Sequence, residues 1–396
     1  MSRRKRNIIV SIQTASHTQR ERVEAILDYT KTKTGDVWRL HLDSIGMSPQ
    51  RMLDLSHWHG DGIIALVTEE TIGRYLATGL PLVALTHDLT PKMKAIRRRN
   101  VSFIVNDHAE EGRTAARYFL DRRFTSFAYV STANPTPWGR ERGRGFAEVL
   151  AQAGFACNVC PEATVEERED FVRELPKLIR WISALPRGTA IFAAHDLRAR
   201  QILLAADEAG LNVPNDFALL GVDNDAVICE TASPALSSIP TDDRGDGVLA
   251  ARLLEDMIVR GARGTIVTTR HTSVVTRAST DIDAVTDPFV AQALDWARRH
   301  LAAKLDAETL AEKIHYSSQL LRIRAKNALG TTLAEEIRRI RLKTAVDLIV
   351  SSEKPIAEIA EACGFTSASH LGLRIREAYG KTPLELRENH RALTRT

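Results

Sequence analysis

Cysteine is scarce in this 396-residue chain: Cys157, Cys160, Cys229 and Cys363 are too few and too scattered for a disulfide scaffold, which suits a reducing compartment. Cys157-x-x-Cys160 has no second pair, so it reads as two half-buried thiols near a strand rather than a zinc or redox motif. No apolar run reaches the 18 residues a membrane span requires. The basic run Arg3-Arg4-Lys5-Arg6 is followed only by the short Ile8–Ile12 stretch, too brief for a secretory segment and without a small-residue cleavage site. These absences lead to the expectation of a cytoplasmic protein.

Catalytic signatures are also missing. There is no Gly-x-Ser-x-Gly elbow, no phosphate loop and no His-Glu-x-x-His. His57 and His59 flank Trp58, but with no carboxylate cluster beside them they read as packing or surface residues. The expectation is therefore a non-enzyme without metal or cofactor.

What is present is ordinary in amount and uneven in distribution. The chain is 44% hydrophobic and 26% charged, values typical of proteins with real cores. Its net charge is +4, and the whole surplus lies from Val285 onward, where 18 Lys and Arg face 14 Asp and Glu. A neutral body with a basic C-terminal piece points to a nucleic-acid module there.

Up to residue 280 the chain alternates strands and helices. Ile8–Ile12, Trp38–Leu42, Ile63–Val67, Pro81–Leu85 and Val101–Val105 read as buried strands. Gln19–Thr32, a stretch near Gln50–Trp58, Thr71–Thr78 and Ala109–Leu120 read as the helices among them. The rhythm repeats with strands at Phe127–Ser131, Phe155–Val159, Ala190–Ala194 and Phe217–Val222. Helices at Arg140–Ala153, Phe171–Leu185, Leu197–Ala209 and Arg244–Arg260 accompany them. This predicts two consecutive α/β lobes, each a doubly wound parallel sheet.

In such sheets a ligand binds outside the carboxyl ends of the strands. Gln13, Asp107, His195, Asp196, Asp223 and Asn224 stand at those ends. Taken singly, each reads more readily as a helix cap or a turn residue. Together they line a polar cleft suited to a polyhydroxylated ligand, because carboxylates accept from hydroxyls. Arg142 can donate to ring or hydroxyl oxygens, and Trp138, in the loop after a strand, offers a face for stacking. A plug in that loop is an equal reading for Trp138.

The final hundred residues are an internal duplication. Leu310-Ala311-Glu312-Lys313-Ile314-His315-Tyr316-Ser317-Ser318 aligns with Ile359-Ala360-Glu361-Ala362-Cys363-Gly364-Phe365-Thr366-Ser367. Each copy is a short helix, a tight turn and a second amphipathic helix: an all-α domain with two helix-turn-helix units, near 308–328 and 356–379. Leu333–Val350 joins them as one long helix with Ile337, Ile340, Ala345 and Leu348 inward. Two such units can address successive major grooves, about 34 Å apart. Ser318, Gln319, Arg322, Ser367, Ser369 and His370 are placed to read base edges. Lys326 and Arg374 are better placed on phosphates.

Ile356-Ala357-Glu358-Ile359-Ala360, Gly364-Phe365 and Tyr379-Gly380-Lys381-Thr382-Pro383, with Arg387, resemble the C-terminal signature of AraC/XylS-type transcription regulators. Gly60-Asp61-Gly62-Ile63-Ile64, Arg142-Gly143-Arg144-Gly145-Phe146, His195-Asp196 and Gly221-Val222-Asp223-Asn224 resemble lac-repressor-type effector domains, which implies an α/β two-lobed, periplasmic-binding-protein-like fold. The resemblance implies an effector domain over 1–280, a linker over 281–287 and a DNA-binding domain over 288–396. It implies sugar contacts at Arg142, Asp223 and His195-Asp196, and a monosaccharide effector, a pentose such as D-xylose foremost. Double-stranded operator DNA, a second copy of the chain and, for an activator, RNA polymerase are the implied partners. Two departures stand out: Leu371-Gly372-Leu373 replaces an aromatic, a Ser and an Arg, and His195 replaces a common amide. The competing readings are a sugar-modifying enzyme using Asp196 and Asp223, and a sugar carrier with a helical appendage.

Overall fold

The computed structural model describes residues 5–32, 37–42, 55, 58–96, 100–281 and 287–388. Of the helix expected near Gln50–Trp58 only Leu55 and Trp58 are described, and the linker residues 282–286 fall outside that set, as do 389–396.

Two parallel sheets form the first two thirds. The N-lobe begins β1 (Lys5–Ser11), α1 (His17–Thr32), β2 (Val37–Leu42), β3 (Gly62–Leu66), α2 (Ile72–Leu76), β4 (Leu82–Thr86), α3 (Pro91–Lys94) and β5 (Val101–Asn106). The chain then enters the C-lobe through α4 (His108–Asp121), β6 (Phe127–Val130), α5 (Pro137–Gln152), β7 (Cys157–Val159), α6 (Val165–Glu169) and α7 (Phe171–Ser183). The C-lobe continues with β8 (Thr189–Ala193), α8 (Asp196–Glu208), β9 (Phe217–Asp223), α9 (Ala226–Thr231) and β10 (Ser237–Pro240). α10 (Asp243–Arg260) and β11 (Ile266–Thr269) follow.

The lobes are interleaved rather than consecutive, which corrects the simpler expectation. β11 pairs with β5, completing a six-stranded sheet of order β11-β5-β4-β3-β1-β2, while the five-stranded sheet runs β10-β9-β8-β6-β7. Ala250, Ala251, Leu254 and Met257 of α10 pack into the N-lobe core against Ile8 and Val10. The short β11, Ile266-Val267-Thr268-Thr269, carries too weak a pattern to be read as a strand without its partner.

The chain therefore crosses between lobes three times, and side chains tie the crossings together. Asn106 Nδ2 donates to Asp246 Oδ2 (3.1 Å) and Thr269 Oγ1 (3.0 Å). Asp242 N–H donates to His271 Nδ1 (3.3 Å), and Arg270 Nε to Asp107 Oδ2 (3.2 Å).

The helical module comprises α11 (Pro288–Arg299), α12 (Ala307–Lys313), α13 (Ser318–Leu329), α14 (Leu333–Ser351), α15 (Ile356–Ala362) and α16 (Ala368–Tyr379). α14 serves two cores. Ile337 and Ile340 pack with α11–α13, whereas Ala345 and Ile349 pack with α15 and α16. Ile349 takes the fully buried place expected of Leu348, which is only half-buried.

Both copies of the turn adopt one geometry. Tyr316 N–H reaches Ala311 O and Phe365 N–H reaches Ala360 O, each at 2.8 Å. The preceding residue must be left-handed, and it is His315 (φ 52°) in one copy and Gly364 (φ 72°) in the other. At Gly364 a Cβ would also lie 2.2 Å from Leu301 O. Gly364→Ala should therefore lower the melting temperature of the helical module, by at least about 1 kcal/mol of stability. His315→Gly should leave it unchanged or raise it by up to about 1 kcal/mol, because glycine relieves the same strain at an exposed position. Calorimetry of the two variants checks the asymmetry.

Candidate functional site

The first candidate site is the cleft between lobes. The N-lobe contributes the ends of β1, β3 and β4, with Ser11, Gln13, Thr68, Thr86 and His87, and the start of α5 faces them with Trp138. The cavity measures about 710 Å³, within the usual range for small-molecule sites. Trp138 lies in the first turn of α5 rather than in a loop, because Thr136 caps that helix and Pro137 opens it.

Beneath the indole lies a buried polar group. α4 and α5 approach so closely that a Cβ on Gly112 would meet Arg142 O at 2.0 Å, and one on Gly145 would meet Ala109 O at the same distance. This contact sets Arg142 beside Glu111. Arg142 Nε donates to Glu111 Oε2 (2.5 Å) and Nη1 to Ala194 O (2.5 Å), while Nη2 lies 3.8 Å from Asp223 Oδ1. Both members of the pair are buried. Burial alone would raise the Glu111 carboxyl, but Arg142 and then His108 hold it below its ordinary range. The guanidinium also sits 4.8 Å from the Trp138 ring.

Several polar atoms here are buried without a partner among the described residues: His87 Nδ1, His108 Nε2, Glu111 Oε1 and Asn224 Oδ1. Buried polar atoms without partners are uncommon, and at a cleft they mark places for ligand atoms. His87, His108 and His195 surround Trp138 at centroid distances of 6.5, 6.5 and 5.6 Å. Burial, followed by the charge of His108, keeps His87 well below the ordinary histidine value, and burial brings His195 down to about 3. His87 and His195 are therefore neutral near pH 7, each offering one donor and one acceptor.

The expected residues divide. Arg142, Trp138, Asp223 and His195 converge, Asn224 follows Asp223 at the end of β9, and Gln13 lines the opposite wall. Asp223 and Asn224 adopt positive φ (103° and 50°), which turns the chain at the end of β9. Burial raises the Asp223 carboxyl well above its ordinary value, against the pull of Arg142.

Asp196 and Asp107 are corrections. Asp196 is closed off by Ser238 Oγ (2.6 Å), Asp225 N–H (2.9 Å) and Cys229 Sγ (3.3 Å), and burial pushes it up to about 6. It braces the β8, β9 and β10 ends, and the acid–base pair with Asp223 is lost with it. Asp107 caps α4 by accepting from Glu110 N–H (3.0 Å) and pairs with Arg113 and Arg270. Sequence reasoning missed His87, His108 and Glu111. His87 follows a strand as His195 does, so the same rule could have found it. Glu111 is visible only once α5 is laid against α4.

The second candidate site is the outer face of α13 and α16. Gln319, Arg322 and Lys326 are exposed, Ser318 half-buried. Ser369 and Arg374 are exposed on α16. Ser367 is instead its N-cap, accepting from His370 N–H (3.1 Å), and His370 Nδ1 lies 3.0 Å from Thr366 Oγ1. Arg322 pairs with Glu308 and Arg374 with Glu377, exposed pairs that a phosphate or base edge can replace at little cost. Three apolar side chains share these faces, Leu320 (48% exposed), Ile323 (51%) and Leu373 (55%). Apolar groups at such positions suit thymine methyls. Of the departing triplet, Leu371 is core and Gly372 has room for a Cβ at ordinary contact distance from Pro383 (3.8 Å).

Among the described residues no helix is long and apolar enough to cross a membrane, and no cluster fit for a metal ion occurs. Cys157 and Cys160 are free thiols that burial pushes up to about 12 and about 11.

Two results are expected here. Arg142→Ala leaves Glu111 charged, buried and without its guanidinium, and should lower the unfolding free energy by about 3–5 kcal/mol in urea titration. For His195, the unfolded imidazole takes up a proton as pH falls through about 6.5, which the folded state does not accept until about 3. Stability from this residue is thus present above pH 6.5 and lost on acidification. His195→Asn keeps the cap on Arg198 N–H (3.1 Å) and should lose less melting temperature than wild type between pH 7 and pH 5.

Comparison with known proteins fits both sites. Residues 116–280 match the periplasmic binding protein-like domain and residues 310–389 the helix-turn-helix domain. The xylose operon regulatory protein of Escherichia coli strain K12 is 25% identical over 375 residues, 93% of each chain. Its Haemophilus influenzae counterpart is 27% identical over 290 residues, 72% of this chain and 75% of that one. The structure of the xylose-binding transcription activator XylR superposes with a TM-score of 0.62 at 24% identity, covering 98% of this chain and 99% of the other. A LacI family regulator from Enterococcus faecium with bound ribose gives 0.55 at 20% identity over 69% of this chain and 98% of its own. Over nearly its whole length the chain is thus similar to the xylose operon regulatory proteins, with a periplasmic binding protein-like domain followed by a helix-turn-helix domain.

Proposed function

We propose that the chain senses a pentose, D-xylose foremost, in the cleft between its lobes and regulates genes for its use through α13 and α16. The observation that carries this reading is the buried Arg142–Glu111 pair under Trp138, ringed by partnerless polar atoms. A sugar needs this combination: an apolar face for its C–H groups and fixed, charged partners for its hydroxyls. Asp223 and Asn224 supply further acceptors, and the neutral imidazoles of His87 and His195 can serve hydroxyls as donor or acceptor. The relatives named for xylose direct the choice of sugar.

The outer faces of α13 and α16 would take adjacent major-groove segments, Gln319 and Ser369 at base edges, Lys326 and Arg374 at phosphates. Two copies would pair to occupy two half-sites, and an activating copy would touch RNA polymerase. A DNA-bound regulator of this kind works in the cytoplasm. Binding can shift the lobes only as far as the sugar discriminates between open and closed forms.

A thermal-shift series with D-xylose, D-ribose, L-arabinose and D-glucose tests the reading. D-Xylose at about a hundred times its dissociation constant should stabilise the full chain by about 2.7 kcal/mol. Trp138→Ala should weaken that binding about tenfold, the worth of one aromatic contact. A panel in which no monosaccharide raises the melting temperature would remove the sugar from this account.

A further inference from the structure

α4 touches three parts of the molecule. Its first turn carries Glu111, the partner of Arg142 beneath the cleft, and His108, which pairs with Glu111. Near its end, Tyr118 OH lies 2.6 Å from Thr280 Oγ1 and 3.0 Å from Thr276 Oγ1, so it grips the chain just before that chain leaves for the helical module. Beyond its last turn, Arg123 reaches into the helical module itself. Fourteen residues of α-helix give a rigid rod about 20 Å long between these contacts.

Arg123 is unusual in its backbone. α4 ends with Arg123 N–H on Leu120 O (2.9 Å) and Phe124 N–H on Phe119 O (3.2 Å), a close that puts the intervening residue in the left-handed region. Glycine is the common occupant of that position, yet Arg123 holds it with φ 62°. Local folding gives no reason for an arginine there. Its side chain gives one: Nη1 donates to Leu329 O (2.9 Å), at the last residue of α13, and Nη2 donates to Glu336 Oε2 on α14 (2.7 Å). Glu336 is only 1% exposed and is also held by Arg339. Beside this clasp, Lys343 of α14 lies 3.4 Å from Asp121, the last residue of α4.

We propose that Arg123 is the positioning residue through which occupancy of the cleft at Glu111 and Arg142 sets the orientation of the DNA-reading helix α13. The proposal rests on the sugar-sensing reading above and names its route. A ligand that shifts the first turn of α4 moves the far end of the same rod. The planar fork of Arg123 holds one carbonyl of α13 and one carboxylate of α14 at once, so displacement of α4 passes to both helices. Lysine, a point charge, can hold one of them at a time.

The decisive variant is Arg123→Gly, because glycine relieves the left-handed backbone and removes only the side-chain bonds. The full chain is titrated with a duplex that the wild-type chain selects from a random pool, with and without saturating D-xylose. D-Xylose affinity without DNA is measured separately through tryptophan fluorescence. In wild type the sugar should change duplex affinity about tenfold, an ordinary coupling between sites. In Arg123→Gly that ratio should fall below about twofold while sugar affinity and melting temperature hold, and Arg123→Lys should lie between. A merely structural contact would lower the stability of the helical module and leave the ratio alone, and that result overturns the proposal. A wild-type chain that binds D-xylose without changing its duplex affinity overturns it too. A wild-type chain that ignores D-xylose altogether overturns the sensing reading, and the proposal falls with it.

Discussion

The Arg142–Glu111 ion pair is the constraint around which the sensor is organised. A buried guanidinium and a buried carboxylate each carry a desolvation penalty that only close, hydrogen-bonded pairing offsets. Meeting that condition dictates the packing: α4 and α5 must cross at glycines, Gly112 against Arg142 O and Gly145 against Ala109 O. Once they do, the remaining donors of Arg142 reach Ala194 O at the β8 end and approach Asp223 at the β9 end. One pair thus fixes two helices and two strand ends, and the cleft floor follows from it.

The floor is charged and its walls are neutral. Trp138 and two imidazoles kept neutral near pH 7, His87 and His195, close over the pair and exclude water from it. In a low-dielectric setting each remaining hydrogen bond is stronger, and each unpartnered polar atom more costly. Glu111 Oε1 and Asn224 Oδ1 are such atoms, two acceptors that hydroxyls of the proposed ligand would satisfy.

The helical module solves a different problem with repeated means. Each helix-turn-helix needs one left-handed residue, and Gly364 and His315 meet that need in the two copies. α14 lends alternate faces to the two cores, so neither unit is packed independently of the other. Arg341 reinforces the join, donating to Leu301 O (2.8 Å) and Ala303 O (2.7 Å), beside the turn that contains Gly364.

Much of this was legible in the residues alone. Continuous apolar runs such as Ile8–Val10 could only be strands buried on both faces. The duplicated turn sequence defined the helical module, because turn chemistry and helical periodicity are local. The strand-end rule picked out Asp223 and His195, which the fold sets beside Arg142 and Trp138, since parallel sheets gather their strand ends at one edge. What local pattern could not supply was partnership across distance. β11 is a strand only because β5 lies beside it, and Asp196 is a brace because Ser238, Asp225 and Cys229 surround it. Glu111 belongs to the cleft because a helix 31 residues further along the chain lies against it. Periodicity and turn chemistry are written residue by residue, whereas the pairing of buried charges depends on which elements meet, and only the folded chain decides that.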